Sequence, residues 1–308
     1  MANTELREAL NKVVVEGTLA EIRSNEWSNK NGKKGINIEL DIETDKFSVH
    51  TLKGMSSYTT KDGNESKKAK AFKTMIDEYK SIANSSREEA DKIRAEGKLG
   101  LNEYFANEEL KSYPELSLNF ARRQSIDEFE PQATFDVEMF VENVAQERAN
   151  GEETGRAVLN GHIPLYGGKV IPFSFVVTEE GSEYVADNYE KHSTVNVYGE
   201  IVNYKERTEK EKESAFGKPK VEVERKTKRE YLVTAGQDPY DEDNKNTYNP
   251  EIIEKALNER EIELDQKKQE ANKDANSKNN KKKGGFGGGK SAASNNKPVT
   301  IADDDLPF

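Results

Sequence analysis

Apolar and polar residues alternate with a period of two in several segments of the chain, and this pattern predicts β-strands. The clearest case is residues 36–42, where isoleucine or leucine occupies every second position and Asn, Glu and Asp lie between. Residues 12–22 predict an earlier strand that contains Gly17, and a glycine inside a strand marks a bulge or a bend. Residues 23–35 between these strands are polar, so we predict a loop there.

The rest of the first half predicts a helix between further strands. A third strand follows at residues 46–52, and residues 66–83 carry apolar side chains at helical spacing. Ser86 and Glu89 have the spacing of a capping box, which predicts a second short helix that ends at Gly97. Strand patterns return in two further segments, 98–106 and 115–123. The order β-β-β-α-β-β is that of an oligonucleotide-binding (OB) fold, a small Greek-key barrel.

The same order repeats in the second half of the chain. Alternation resumes at residues 135–141, and Tyr166 to Lys169 predict a hairpin turn between the next two strands. A short helix is predicted at residues 181–192 and a strand at 194–204. Residues 205–229 are rich in Lys, Arg and Glu and predict a long charged hairpin.

Together the patterns predict a mainly β chain with two tandem OB-fold (Greek-key) barrels, inserted helices, a charged helix and a disordered C-terminal tail. Residues 271–300 are rich in Asn, Lys, Gly and Ser, which favours a flexible linker. The predicted units are OB-fold domain 1 at 10–128, OB-fold domain 2 at 130–240, a charged helix at 249–272, and a linker with an acidic tip at 273–308.

Composition agrees with small β-domains. Hydrophobic residues make up 33% of the 308 residues and charged residues 34%, which is poor for one large core. The chain has no cysteine, so disulfides, thiolate catalysis and cysteine metal sites are excluded. No apolar run approaches the roughly 20 residues of a membrane span, and no signal pattern opens the chain. We therefore expect a soluble, cytoplasmic protein.

The net charge of −11 argues against a nucleic-acid ligand, but the charges are segregated along the chain. Residues 205–229 and 273–297 are basic, whereas 251–270 and 302–308 are acidic. Local patches decide electrostatic binding more than the charge of the whole chain does. A nucleic-acid partner is therefore compatible with the acidic total.

The last residues, Asp303-Asp304-Asp305-Leu306-Pro307-Phe308, resemble the tail of bacterial and phage single-stranded DNA-binding proteins. They follow a tether rich in Gly, Lys and Asn, as the tail does in that family. Residues 97–104, Gly-Lys-Leu-Gly-Leu-Asn-Glu-Tyr, are similar to fourth-strand sequences of its phage members. The resemblance implies that the barrels bind single-stranded DNA. It also implies that residues 303–308 recruit replication, repair or recombination proteins.

Basic and aromatic side chains in domain 1 are candidates for this binding. Trp27, the only tryptophan, has lysines close by in sequence, which suits stacking on a base; the alternative is a lid on the core. Glu39 and Asp41 face outward on strand two and would repel phosphate. Either DNA avoids this strip, or the two carboxylates lie at the edge of its path. The candidates are Arg23, Trp27, Lys30, Lys33, Lys34, Tyr58, Lys61, Tyr104, Arg122 and Arg123.

Domain 2 offers a smaller set of candidates. They are Arg148, Arg156, Tyr166 and Lys169. The charged hairpin at residues 205–229 has the composition of a finger that lies over a DNA strand. Because Glu and Lys alternate through its first part, a solvated hairpin without ligand is an equal alternative.

Catalysis has little support in the sequence. His50, His162 and His192 lie in different predicted elements without metal-ligand spacing, and no carboxylate pair has an apolar setting. We predict no enzyme activity, no cofactor and no metal. The predicted function is a single-stranded DNA-binding protein of phage or bacterial replication and recombination. An OB-fold interaction scaffold and a single-stranded RNA-binding protein are the alternatives.

Overall fold

The computed structural model describes residues 6–106, 108–212, 216 and 220–281. Within them the chain forms ten strands and three α-helices in one connected sheet system. In chain order these are β1 (Asn11–Ser28), β2 (Lys34–Asp45), β3 (Ser48–Ser57), α1 (Lys67–Glu78), β4 (Lys92–Ala106), β5 (Glu109–Arg123), β6 (Gln132–Ala149), β7 (Glu152–Leu165), β8 (Lys169–Val177), α2 (Glu179–Asn188), β9 (Thr194–Lys212), β10 (Lys220–Gly236) and α3 (Pro250–Lys281).

The first five strands close into a barrel, here called barrel 1. β1 pairs antiparallel with β2 and with β4, and β2 pairs antiparallel with β3. β5 pairs antiparallel with β4 and parallel with β3, where Leu52 lies opposite Leu116. The circuit β1-β2-β3-β5-β4, with α1 between β3 and β4, is the Greek-key arrangement of an OB fold.

Strands β6 to β10 repeat this circuit as barrel 2. β6 pairs with β7 and β9, β7 pairs with β8, and β10 pairs with β9, all antiparallel. The closing pair, β8 with β10, is parallel as in barrel 1. The mainly β fold with two tandem OB barrels is confirmed. That residues 10–128 and 130–240 act as separate domains stays a prediction.

The barrels are joined edge to edge through their first strands. β1 and β6 pair antiparallel, with Val13 opposite Phe135, so the sheet continues from one barrel into the other. Because equivalent strands pair antiparallel, the two barrels lie around an approximate two-fold axis. The β4–β5 hairpin of barrel 1 therefore extends toward barrel 2, and the β9–β10 hairpin of barrel 2 extends toward barrel 1.

The predicted alternation in residues 36–42 is confirmed. Its four apolar side chains are at most 4% exposed and face the core of barrel 1. Phe72 of α1 is fully buried against the same core, so the helix covers one end of the barrel. The core of barrel 2 is more aromatic, and Phe173 lies 4.9 Å from both Phe175 and Tyr231 between ring centroids.

Two local predictions differ from the structure. Residues 23–35 are mostly strand, because β1 continues to Ser28 and pairs with β2 as a projecting hairpin arm. Beyond Arg23 the side chains of β1 are exposed except for the half-buried Trp27, so the polar sequence of this segment conceals the strand. The segment after Ser86 makes turns instead of a helix, although its Oγ accepts the predicted bond from the N–H of Glu89 (3.3 Å). β4 starts at Lys92 and already contains Gly97.

The predicted charged hairpin at 205–229 agrees with the structure, because β9 and β10 pair antiparallel through most of that segment. The end of the charged helix differs from its prediction. α3 continues beyond residue 272 to Lys281, so the first residues of the predicted linker are helical. Its Ile253 and Ala256 are buried, so its first turns dock on the barrels. Within the described residues no helix is long and apolar enough to cross a membrane.

Candidate nucleic-acid interface

One end of barrel 1 brings two lysine-rich segments together. The β1–β2 turn and the chain that follows β3 are adjacent, because the N–H of Tyr58 donates to the carbonyl of Lys34 (3.0 Å). The N–H of Ser66 in turn donates to the carbonyl of Tyr58 (2.8 Å), which places the start of α1 beside them. We call residues 26–36 and 58–73 together the basic end.

The basic end carries a local excess of positive charge. Its eight lysines are Lys30, Lys33, Lys34, Lys61, Lys67, Lys68, Lys70 and Lys73. Its three carboxylates are Glu26, Asp62 and Glu65. In the part of the chain that the structure describes, none of these lysines forms an ion pair with a carboxylate, and all but the half-buried Lys68 are exposed. Unpaired exposed ammonium groups remain available for phosphate oxygens.

Trp27 lies within the basic end, on the arm formed by β1 and β2. It is opposite Gly35, and its ring covers that glycine so closely that no Cβ would fit there. The side chain is half-buried, and its buried Nε1–H has no acceptor among the described residues. The ring is thus held in place beside the lysines. Stacking of a base on Trp27 stays a prediction, as does its alternative of a lid.

Tyr58 is fixed next to Trp27 on the same end of the barrel. Its hydroxyl donates to the carboxylate of Glu26, and this bond raises the tyrosine pKa to about 12. Nζ of Lys73 lies 4.6 Å from the centroid of the Tyr58 ring. The ring therefore carries a cation on one side, and Lys61 follows it in the exposed turn before α1.

Arg23 lies on β1 and belongs to a different surface, the outer face of β1, β2 and β3. Its guanidinium donates to Asp41 (2.5 Å), Glu21 (2.7 Å) and Glu39 (3.1 Å). The hydrogen bond to Asp41, followed by the other two carboxylates, raises the arginine pKa although burial opposes it. The outward carboxylates that conflict with phosphate binding are therefore engaged in ion pairs. This face is a paired, acidic strip, and the structure does not bring Arg23 together with the lysines.

The remaining candidates of barrel 1 lie on β4 and β5. Tyr104 is 47% exposed and stacks on Tyr113, which is 51% exposed, with ring centroids 6.3 Å apart. Sequence reasoning missed Tyr113 because it precedes Pro114 in a predicted loop. Arg123 is paired with Asp91 (2.9 Å), whereas Arg122 is exposed and has no ion pair among the described residues.

The candidate cations of barrel 2 are all in ion pairs. Arg148 pairs with Glu153 (2.8 Å), and Lys169 pairs with Glu263 of α3 (2.8 Å). Arg156 pairs with Glu147 (2.6 Å) and Glu230 (3.2 Å). Tyr166 is 83% exposed in the β7–β8 turn. The structure does not gather these residues into a basic surface like that of barrel 1.

Side chains of the types that bind metals are not clustered in the described part of the chain. Among the described residues, no group of three or more His, Cys, Asp or Glu side chains could hold a metal ion. His50 is 3% exposed, and burial lowers its pKa to about 4, so it is neutral at physiological pH.

The predicted partner-binding residues 303–308 lie outside the described residues.

The site and fold together define a class of protein: two fused OB barrels, one of which ends in an unpaired lysine cluster around its tryptophan and a tyrosine. The chain belongs to the YorF family, whose model matches residues 9–270. A search of the curated proteins found no match.

Two similar solved structures are of the single-stranded DNA-binding protein from Thermus aquaticus. The wild-type protein is 13% identical, with a TM-score of 0.47, over 78% of this chain and 97% of that chain. A deletion mutant is also 13% identical, with a TM-score of 0.48, over 79% and 98%. At this identity and score, neither match bears on what this chain binds.

Proposed function

We propose that this chain binds single-stranded DNA, and that it coats such DNA during phage or bacterial replication and recombination. The observation that carries the proposal is the basic end of barrel 1. Eight lysines without carboxylate partners among the described residues share this end of the barrel with Trp27 and Tyr58, in a chain whose net charge is −11. The chain has 47 Lys and Arg against 58 Asp and Glu, so a random distribution would place slightly more carboxylates than cations at this end.

The chemistry of the basic end fits an unpaired strand. Ammonium groups neutralise phosphates and release counterions, and aromatic faces stack on bases. Bases in a duplex are already stacked on each other, so stacking on a protein ring favours a single strand. RNA has the same phosphates and closely similar bases, so the 2′-hydroxyl is the main group that would separate the two ligands.

We also propose that residues 303–308 bind partner proteins of DNA metabolism, such as a helicase, a polymerase or a recombinase. Three adjacent carboxylates attract a basic partner, and Leu306, Pro307 and Phe308 supply an apolar anchor of limited flexibility. The same protein would then hold the strand with its barrels and recruit enzymes with this segment, in the cytoplasm of the host cell.

Titration of the single tryptophan with oligo-dT tests the DNA-binding proposal directly. We expect saturable quenching of Trp27 fluorescence, and a logarithm of affinity that falls linearly with the logarithm of salt concentration. A duplex of the same length should bind much more weakly. Oligo-rU as a competitor separates DNA from RNA binding.

A flat salt response, or equal affinity for the duplex, would overturn the proposal. A folded protein that binds neither oligo-dT nor oligo-rU would instead favour the interaction scaffold. Circular dichroism at each salt concentration shows that the fold is intact.

A further inference from the structure

A groove of about 390 Å³ lies between the two barrels, away from the basic end. Leu101, Ser112 and Pro114 of the β4–β5 hairpin form its wall on the side of barrel 1. The outer face of β6, β7 and β8 forms its other side, with Asn160 at the centre. Barrel 1 thus supplies the β4–β5 hairpin, and barrel 2 supplies the sheet face that this hairpin covers.

The face of barrel 2 in this groove carries a chain of neutral hydrogen-bonding groups. Oγ of Ser174 donates to Oδ1 of Asn160 (2.6 Å), and Nδ2 of Asn160 donates to Oδ1 of Asn143 (2.9 Å). Asn143 keeps its amide N–H groups without a partner among the described residues, and the Ser174 oxygen keeps its lone pairs. Donors and an acceptor therefore lie side by side, as they do on the edge of a nucleobase.

The other lining residues favour an uncharged planar ligand. Leu101, Pro114 and Pro172 give apolar walls on both sides of the amide chain. Glu142 is the one charged residue of the lining, and its carboxylate disfavours phosphate. The groove therefore suits a base and not the backbone of a strand.

The equivalent face of barrel 1 has a different chemistry. At the equivalent register positions it carries Glu21, Asp41 and Thr51, and Arg23 forms ion pairs with both carboxylates (2.7 and 2.5 Å). In barrel 2 the same position in the fold carries two asparagines and a serine. Because both faces share one topology, the neutral amide chain is a property of these residues and not of the fold.

Helix α3 holds the groove in shape. Arg260 of α3 forms an ion pair with Glu103 on the β4–β5 hairpin, with side chains that are 18% and 8% exposed. Three residues along the helix, Glu263 pairs with Lys169 of barrel 2 (2.8 Å). Helix α3 thus connects the β4–β5 hairpin of barrel 1 to barrel 2. Because the groove is preformed, little conformational entropy is lost when a ligand binds there.

We propose that this interbarrel groove takes a nucleobase of the bound strand and gives the protein a base-dependent part of its affinity. The inference rests on the proposed function, since the strand must be bound for its base to enter. The basic end holds phosphates of any sequence. The groove, in contrast, reads the hydrogen-bonding edge of one base.

The test compares labelled oligo-dT with an oligomer of the same length whose central nucleotides are abasic, by fluorescence anisotropy. Asn143→Ala removes the free amide, and Ser174→Phe fills the groove. We expect either change to lower the affinity for oligo-dT about tenfold and to leave that for the abasic oligomer within about twofold. The slope of affinity against salt should not change, because no phosphate contact is removed.

Asn188→Ala, an exposed change at the end of α2, is the matched control and should leave both affinities unchanged. Thermal unfolding of each variant reports on the fold. If the wild-type protein binds oligo-dT and both groove variants bind it equally well, the groove inference fails and DNA binding stands. If the wild-type protein binds neither oligomer, DNA binding itself fails, and the groove inference fails with it.

Discussion

Replacement of the lysines in the β1–β2 turn would measure how much phosphate contacts at the basic end contribute to DNA affinity. Lys30, Lys33 and Lys34 are exposed, and none is in an ion pair within the described residues. The turn itself is shaped by Asn29, whose Oδ1 accepts the backbone N–H of Lys33 (2.9 Å), and by Gly32 at φ 76°. Changing the three lysine side chains to glutamine should therefore leave the turn intact.

The expected loss follows from counterion release. Each phosphate contact with a single strand contributes about 0.7 to the slope of log affinity against log salt. If all three lysines bind phosphate, the triple variant should have a slope lower by about 2, and its affinity at about 0.1 M salt should fall roughly a hundredfold. A smaller drop in slope counts how many of the three make contact.

Anisotropy of labelled oligo-dT over a series of salt concentrations measures both quantities. Lys12, Lys191 and Lys245 are also exposed, and none is in an ion pair within the described residues, so their triple change to glutamine is a control of equal charge. The control should keep the wild-type slope and most of the affinity. If the two triple variants lose affinity equally, total charge governs binding, and the basic end is not the DNA site.

Three further predictions test other parts of the molecule. Trp27→Ala should weaken oligo-dT binding by about 1–3 kcal/mol with an unchanged circular dichroism spectrum, and equal affinity would refute stacking. Burial lowers the His50 pKa from 6.5 to about 4, so the neutral ring stabilises the fold above pH 6.5. This contribution of about 3 kcal/mol to the free energy of unfolding should be lost as pH falls toward 4. Denaturant unfolding of His50→Gln should not show that part of the pH dependence. Deletion of residues 302–308 should leave oligo-dT affinity equal or slightly higher and abolish capture of partner enzymes; much weaker DNA binding would contradict it.

The barrels could be predicted because their strands are half-buried. Alternation along residues 36–42 has a direct physical cause, since one side of β2 faces the core and the other faces solvent. In β1 the residues after Arg23 are exposed except for the half-buried Trp27, so no such pattern reveals that part of the hairpin arm. The β1–β6 pairing joins segments more than 100 residues apart, and no local pattern encodes it.

Candidate site residues could be predicted only where their neighbours in the structure are also close to them in sequence. Trp27 and the turn lysines are close in sequence, and Tyr58 follows the strand that pairs with their own hairpin. The ion pairs of Arg156 with Glu230 and of Lys169 with Glu263 join distant segments, so no local pattern indicates that these cations are engaged. The interbarrel groove was missed for the same reason, because its walls come from both halves of the chain.

The acidic total of the chain and a basic binding site are compatible because charges act over a limited range. At physiological ionic strength the Debye length is about 8 Å, so the basic end responds mainly to its own lysines and its few carboxylates. At low salt that range grows, and the net charge of −11 begins to oppose the approach of a polyanion. Affinity at the site should therefore fall with salt as phosphate contacts weaken, while the association rate gains less from low salt than it would in a basic protein.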